Sequence, residues 1–217
     1  MKNNLTELVL ILDMSGSMDH LTSDTIGGFN SVVKEHNDSQ DEVLVTTYVF
    51  NNESKMIHDR LPISKVPPMT EKEYSARGCT ALLDAIGGAI EHIVGIHRYA
   101  REEDVPEHTI FVITTDGMEN ASHKFSAEQV KDKIRHEQEK YGWEFIFLAA
   151  NIDAIETAES FGIAPSRAVN YVADEAGTER VYEAVNYAAR SVREGRCLGS
   201  DDSWRRKIDA DYKRRSK

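Results

Sequence analysis

The sequence predicts an α/β protein built on a doubly wound, mostly parallel sheet, with helices on both faces and one antiparallel edge strand. Five short runs, ELVLILD, EVLVTTYVF, HTIFVITTD, WEFIFLAAN and AVNYV, are rich in Val, Ile, Leu or Phe. Continuous apolar runs are typical of strands buried on both faces. Stretches with helical spacing separate the runs, and this alternation indicates βαβ units and a parallel sheet.

The elements follow in order along the chain. Apolar residues at helical spacing predict helices around residues 26–33, 82–94, 130–134, 154–161 and 181–192. Residues 54–58 follow the second run after almost no gap, which predicts a hairpin return and hence an antiparallel edge strand. Residues 60–78 hold three of the five prolines and show no periodicity, so we expect a surface loop there.

Length and charge indicate one domain and limit its partners. The chain has 217 residues, 40% of them hydrophobic, and we place the domain at residues 4–195. A net charge of −11 disfavours nucleic acid as a partner. Residues 196–217 form a basic extension, because residues 204–217 carry seven lysines or arginines against two aspartates. We expect a solvated terminus, with docking to an anionic surface as the alternative.

Compartment signals favour a soluble cytoplasmic protein. Two cysteines, Cys79 and Cys197, are too few for a disulfide framework, and we expect reduced thiols and a buried Cys79. The first apolar run, residues 8–12, is shorter than a signal-peptide core. No run approaches the roughly 18 apolar residues of a membrane span.

Oxygen-bearing side chains cluster where predicted strands end. The first strand ends in Asp13-Met14-Ser15-Gly16-Ser17, and the strand TIFVITTD ends at Asp116. In the commonest doubly wound order these strands are neighbours at the topological switch point, where ligands bind. Thr80 opens the second predicted helix above the same crevice.

This donor set predicts a site for a hard divalent cation. Two carboxylates and three hydroxyls, without Cys or His, favour Mg²⁺, with Mn²⁺ as a close substitute. Simpler interpretations exist for each part: Ser15, Ser17 and Thr80 suit helix caps, and Asp116-Gly117 suits a turn. We expect Glu119 and Asn120, just after that turn, to lie in a solvated loop.

Asp13-x-Ser15-x-Ser17, Thr80 and Thr115-Asp116-Gly117 together resemble the metal-ion-dependent adhesion site (MIDAS) of von Willebrand factor A (VWA) domains. The resemblance covers nearly the whole chain and implies a Rossmann-like fold. It implies that Ser15 and Ser17 bind the ion directly, that Asp13 holds it directly or through water, and that Thr80 and Asp116 alternate between direct and water-mediated contact. Asp19 is the only acid just beyond Ser17, so the second ion of integrin β-chain relatives is not expected.

The function that the resemblance implies is protein binding within an intracellular complex. An open coordination position on the ion would capture a Glu or Asp of a partner protein. The alternative is a Mg²⁺-dependent phosphoryl-transfer enzyme of the phosphatase type, with the strand-end Asp13 as nucleophile. Such an enzyme would carry a general acid two residues later, where this chain has Ser15, so we expect no enzymatic activity.

Overall fold

The predicted fold class is confirmed by a computed structural model, which describes residues 2–38 and 42–215. Six strands form one sheet in the order β3-β2-β1-β4-β5-β6. The β2–β3 pair is antiparallel, and every other neighbouring pair is parallel. The strands are β1 (Lys2–Asp13), β2 (Val43–Phe50), β3 (Ser54–Pro62), β4 (Pro106–Thr115), β5 (Glu144–Ala149) and β6 (Ala168–Asn170).

Helices cover both faces of the sheet. They are α1 (Thr22–Asp38), α2 (Leu82–Tyr99), α3 (Ala127–Tyr141), α4 (Ala154–Ser160), α5 (Glu175–Arg193) and α6 (Arg206–Arg215). Alternate residues of β1 point to opposite faces. Leu8, Leu10 and Leu12 pack in one core with α1, α5 and α6, whereas Val9 and Ile11 pack in a second core with α2, α3 and α4. None of the described helices is long and apolar enough to cross a membrane.

The segment expected to be a surface loop contributes to the core. Strand β3 continues beyond residue 58 to Pro62, with an irregular register opposite Thr47. After it, Ile63, Val66, Met69 and Tyr74 are buried in the same core as α1. The segment lacks a repeating pattern because its apolar residues anchor an irregular path rather than one face of a helix or strand.

The basic C-terminal segment packs on the body of the protein. Leu198, Trp204 and Ile208 are buried in the core that contains α1 and α5. Arg215 pairs with Asp211 and Asp174, so part of the basic charge is neutralised within the chain. Residues 216 and 217 of the predicted extension lie outside the described residues.

Candidate functional site

Asp13 and Asp116 lie at the same edge of the sheet because they end, or directly follow, neighbouring parallel strands. The predicted adjacency of these strands is confirmed: β1 pairs with β4, with Leu12 opposite Thr114. Both aspartates are buried, Asp13 completely. Side chains that follow two adjacent parallel strands enter one crevice, as the switch-point rule requires.

Hydrogen bonds join four of the five predicted site residues in a chain. Asp13 Oδ1 accepts from the backbone N–H of Ser15 at 2.7 Å. Ser15 Oγ and Ser17 Oγ are 3.1 Å apart, and Ser17 Oγ donates to Asp116 Oδ1 at 2.5 Å. Ser15 and Ser17 therefore connect the first aspartate to the second.

Thr80, the fifth predicted residue, approaches the same point from the start of α2. A Cβ placed on Gly117 would lie 3.5 Å from Thr80 Oγ1 and 3.6 Å from Ser17 Oγ. The two hydroxyls therefore flank the residue that follows Asp116. The structure thus brings together all five side chains that the sequence singled out.

Hydrogen bonds attach the segment before Thr80 to two neighbouring loops. Arg77 N–H donates to Met14 O at 2.8 Å, and Gly16 N–H donates to Gly78 O at 3.0 Å. On the β2–β3 side, Cys79 N–H donates to Asn52 Oδ1 at 3.0 Å. These contacts fix the threonine backbone before any ligand binds.

Asn120 and Glu119 connect the loop after Asp116 to the start of α2. Asn120 Oδ1 accepts from Thr80 N–H at 2.9 Å, and Asn120 N–H donates to Thr80 O at 3.0 Å. Helix α2 has no side-chain cap from its own N-cap residue, Ala81; instead Glu119 Oε2 accepts from Leu83 N–H at 2.8 Å. Both residues lie in a loop, as expected, and Asn120 is exposed. Their side chains nevertheless make specific contacts, Asn120 with Thr80 and Glu119 with the first turn of α2.

Two further contributors to the site, Thr115 and Tyr74, were not predicted as site residues. Thr115 Oγ1 donates to Asp13 Oδ2 at 2.6 Å, and Tyr74 OH donates to the backbone oxygen of Asp13. The threonine stands in the quoted Thr115-Asp116-Gly117 motif, so its position was a usable signal. The tyrosine lies 61 residues from its partner, and no sequence pattern links the two. Cys79, expected to be buried, is exposed.

The electrostatics of the crevice favour a cation. Burial raises the pKa of Asp13, hydrogen bonds from Thr115 and Ser15 oppose that shift, and the charge of Asp116 adds to it. Asp116 Oδ2 is buried and has no hydrogen-bond partner. No ion pair within residues 2–38 and 42–215 involves either aspartate.

The donor set fits a hard divalent ion rather than a soft one. Across the described part of the chain, no group of three or more His, Cys, Asp or Glu could hold a metal. The crevice instead combines carboxylates with hydroxyls, which suit oxygen-seeking ions such as Mg²⁺ and Mn²⁺. Asp116 Oδ2 is buried without a hydrogen-bond partner, and a divalent cation would be a suitable partner for it.

The sheet order and the helices on both faces define a VWA-like fold. Solved structures that share it include proximal thread matrix protein 1 from the mussel byssus with a zinc-occupied MIDAS motif. That comparison gives a TM-score of 0.60 and 13% identity, covering 85% of this chain and 48% of that one. The ArnB paralog VWA2 from Sulfolobus acidocaldarius matches with a TM-score of 0.52 and 16% identity, covering 83% and 45%.

A further match is a D319A mutant of the PilB minor pilin from Streptococcus sanguinis. Its TM-score is 0.58 at 10% identity, covering 90% of this chain and 63% of that one. This chain therefore spans between 45% and 63% of the length of these three structures. No protein-family model and no curated protein sequence matches the chain. At such identities the likeness shows the fold alone.

Proposed function

We propose that this protein is a Mg²⁺-dependent protein-binding module. Asp13, Ser15, Ser17, Thr80 and Asp116 hold the ion, and an acidic side chain of a partner protein completes its coordination. The observation that carries this proposal is the buried Asp116 Oδ2, which has no hydrogen-bond partner in a crevice that holds a second buried carboxylate. Mn²⁺ is the expected substitute for Mg²⁺, because both prefer oxygen donors.

The ion, when bound, supplies an electrophilic coordination position for a carboxylate oxygen. The chain's own residues supply the holding and the orientation. Asp13 is pre-positioned by Thr115 and by the Ser15 backbone, and Ser17 connects the first strand to Asp116. Two carboxylates formally balance a divalent charge. If Asp116 contacts the ion only through water, the ion stays under-neutralised and attracts an acidic partner.

The overall charge makes the proposed ion essential for recognition. With a net charge of −11, the protein repels acidic partners at long range. Attraction of an Asp or Glu must then come from a local positive charge of strict geometry. Met118 is 72% exposed just beyond Asp116-Gly117 and offers apolar contact at the rim. Partner binding should therefore be lost in EDTA. Its affinity should change little with ionic strength, because surface charges that salt screens contribute little to it.

A matched set of variants tests the proposal. Isothermal titration with Mg²⁺ and Mn²⁺ should show one site in the wild type, with binding lost in Asp13→Ala and Asp116→Ala. Asp19→Ala is the control. Asp19 is an exposed acid two residues from Ser17, and its substitution removes the same charge as Asp116→Ala. A pull-down from native lysate, with and without EDTA, then asks whether partner capture follows ion binding. Equal ion affinity in Asp116→Ala and Asp19→Ala contradicts the proposed site.

The alternative function is phosphoryl transfer, which would make the protein an enzyme rather than a binding module. In that mechanism Asp13 would attack phosphorus, and the residue two positions on would act as general acid. The structure has Ser15 there, with its hydroxyl 3.1 Å from Ser17 Oγ. We therefore expect no Mg²⁺-dependent hydrolysis of p-nitrophenyl phosphate. Robust hydrolysis that is lost in Asp13→Ala would overturn the binding proposal.

We also propose that the module works within an intracellular complex, in the cytoplasm. The support is that Cys79 and Cys197 are both exposed and unpaired, a state that a reducing compartment maintains. Fractionation of the tagged full-length protein from its native cells tests this assignment, and recovery from an oxidising compartment contradicts it.

A further inference from the structure

A cavity of about 520 Å³ lies at the opposite edge of the sheet from Asp13 and Asp116. It opens between the C-terminal ends of α2 and α3 and the starts of β4 and β5. Its walls include Val94 and His97 from α2, Glu137 from α3, and Trp143 just before β5. Trp143 is buried and stacks on Phe111, so this wall is rigid.

Glu137 is an unpartnered acid within this cavity. It is only 4% exposed, and its Oε2 has no hydrogen-bond partner. Its other oxygen, Oε1, lies 4.0 Å from His136 Nε2. Burial raises the Glu137 pKa, although His136, Lys140, His97 and Lys133 act in the opposite direction.

Among the described residues, only two carboxylates have a buried oxygen without a partner: Asp116 and Glu137. Burying such an oxygen costs free energy unless a donor satisfies it. The first lies in the proposed metal site. The second lies in a cavity whose lining includes the nitrogen-bearing side chains of His97, Arg98 and Lys140, and no metal-holding group of His, Cys, Asp or Glu exists in the described chain. A ligand that carries a hydrogen-bond donor could therefore satisfy Glu137 from within the cavity.

The rim of the cavity carries unpaired positive charge. Arg98 and Lys140 line it, and in the part of the chain that the structure describes neither forms an ion pair with a carboxylate. Lys140 lies over the Tyr141 ring at 4.9 Å. Because Lys140 follows Glu137 by three helical positions, the two side chains lie on one face, with Cβ atoms about 5–6 Å apart.

We propose that this cavity binds a free amino acid with an apolar or aromatic side chain. The ammonium group pairs with Glu137, and the carboxylate lies between Arg98 and Lys140. The side chain packs against Val94 and Trp143. A zwitterion is a compact ligand that places a donor at the buried acid and an anion at the basic rim of the same cavity.

Three probes dissect the recognition by calorimetry: L-phenylalanine, 3-phenylpropionate, which lacks the amine, and phenethylamine, which lacks the carboxylate. L-Phenylalanine should bind, and each analogue should bind at least about tenfold more weakly. Glu137→Gln should lose at least about tenfold in affinity for L-phenylalanine, and Arg98→Ala several-fold. Glu139→Gln is the control, because Glu139 is an exposed acid on the same helix. Asp116→Ala should bind L-phenylalanine normally, which separates this cavity from the proposed metal site.

Three results would overturn the assignment. One is the absence of heat on titration with L-phenylalanine. Another is equal affinity for 3-phenylpropionate, which would mean that the amine is not recognised. The last is a melting temperature of ligand-free Glu137→Gln well below that of the wild type, since that would make Glu137 a structural residue. We expect the variant to melt at the same or a higher temperature, because a neutral amide is easier to bury than a carboxylate.

Discussion

Replacing Asp116 with asparagine should have opposite effects on stability without and with magnesium. The side chain keeps its shape and an acceptor for Ser17 Oγ, which donates to Asp116 Oδ1 at 2.5 Å. The charge disappears from a crevice where Asp13 is already buried and has a raised pKa, chiefly through burial and partly through Asp116. Without an ion, the wild type therefore has an unfavourable electrostatic energy in this crevice, and Asp116→Asn reduces it.

Two terms set the size of the change without magnesium. Turning a charge-assisted hydrogen bond into a neutral one costs about 1 kcal/mol. Burying an unpaired carboxylate costs several kcal/mol, and removing that charge recovers part of it. Because the crevice offers Asp116 Oδ2 no partner, the second term wins, and we expect the variant to be more stable by about 1 kcal/mol.

Magnesium should reverse the order. At ten times its dissociation constant it stabilises the wild type by roughly 1.4 kcal/mol, which raises the melting temperature of a chain of this size by about 3–6 °C. The variant, having lost most of its affinity, gains little. The two stability curves should then cross when magnesium is about four to five times the wild-type dissociation constant.

Scanning calorimetry across a magnesium titration, starting in EDTA, measures both effects in one experiment. Asp19→Asn should follow the wild-type curve, because Asp19 is exposed and outside the proposed site. The reasoning is refuted if Asp116→Asn is less stable than the wild type in EDTA and responds to magnesium with the same slope. That pattern would mean that Asp116 is a structural acid with an adequate partner.

Three other predictions concern the scaffold around the site. Asn120→Ala removes the acceptor for the Thr80 N–H and should weaken Mg²⁺ binding several-fold by calorimetry, while Asn120→Asp, which keeps the acceptor, retains it. Gly28→Ala would place a Cβ 1.9 Å from a buried tyrosine ring of α5, and it should lower the free energy of unfolding, measured in urea, by about 1–3 kcal/mol. Gly27→Ala is the control: a Cβ there meets nothing within 4 Å, and the variant should raise the free energy of unfolding by about 0.5–1 kcal/mol. The pKa of Asp84 is raised by burial but lowered more by three backbone N–H bonds from residues 123–125, so it lies below its ordinary value. Its contribution to stability is therefore present above that ordinary value and lost as pH falls through the folded-state pKa, and Asp84→Asn should flatten the acid limb of an unfolding curve measured by circular dichroism.

The sheet was predictable because buried parallel strands are continuous apolar runs, and the antiparallel edge strand was predicted too, but its continuation from residue 58 to Pro62 was not. Strand β3 continues through Arg60, a residue with the left-handed backbone angle φ = 46° in an irregular part of the ladder. Its side chain reaches back to donate to Glu7 Oε1 at 2.7 Å. Helix α6 was not predicted either, because Ile208 is its only large buried apolar residue and gives no helical pattern. Ile208 packs in the core that contains α1 and α5, and residues distant in sequence therefore stabilise the helix.

The candidate ligands of the site were predictable, but the residues that hold them in place were not. Carboxylates and hydroxyls at strand ends can be recognised by residue type and position, and all five converge in the structure. The loop position of Glu119 and Asn120 was predictable, but their contacts with Thr80 and the start of α2 were not, because such contacts depend on where two loops meet. That proximity follows from β1 pairing with β4 and from α2 leading into β4, and a local pattern of residues does not encode it.

Glu7 and Glu137 show why the sequence alone could not separate a structural acid from one that awaits a ligand. Both interrupt apolar patterns: Glu7 lies within the first strand, and Glu137 continues the helical stripe begun by Val130 and Ile134, at positions i, i+4 and i+7. An acid at such a position is a usable signal of a buried carboxylate. Glu7, however, accepts from Arg60 Nε at 2.7 Å and lies 2.6 Å from His97 Nε2, whereas Glu137 Oε2 has no partner. The difference lies in residues 53 and 90 positions away from Glu7, so only the folded arrangement shows which of the two acids is left to recognise something else.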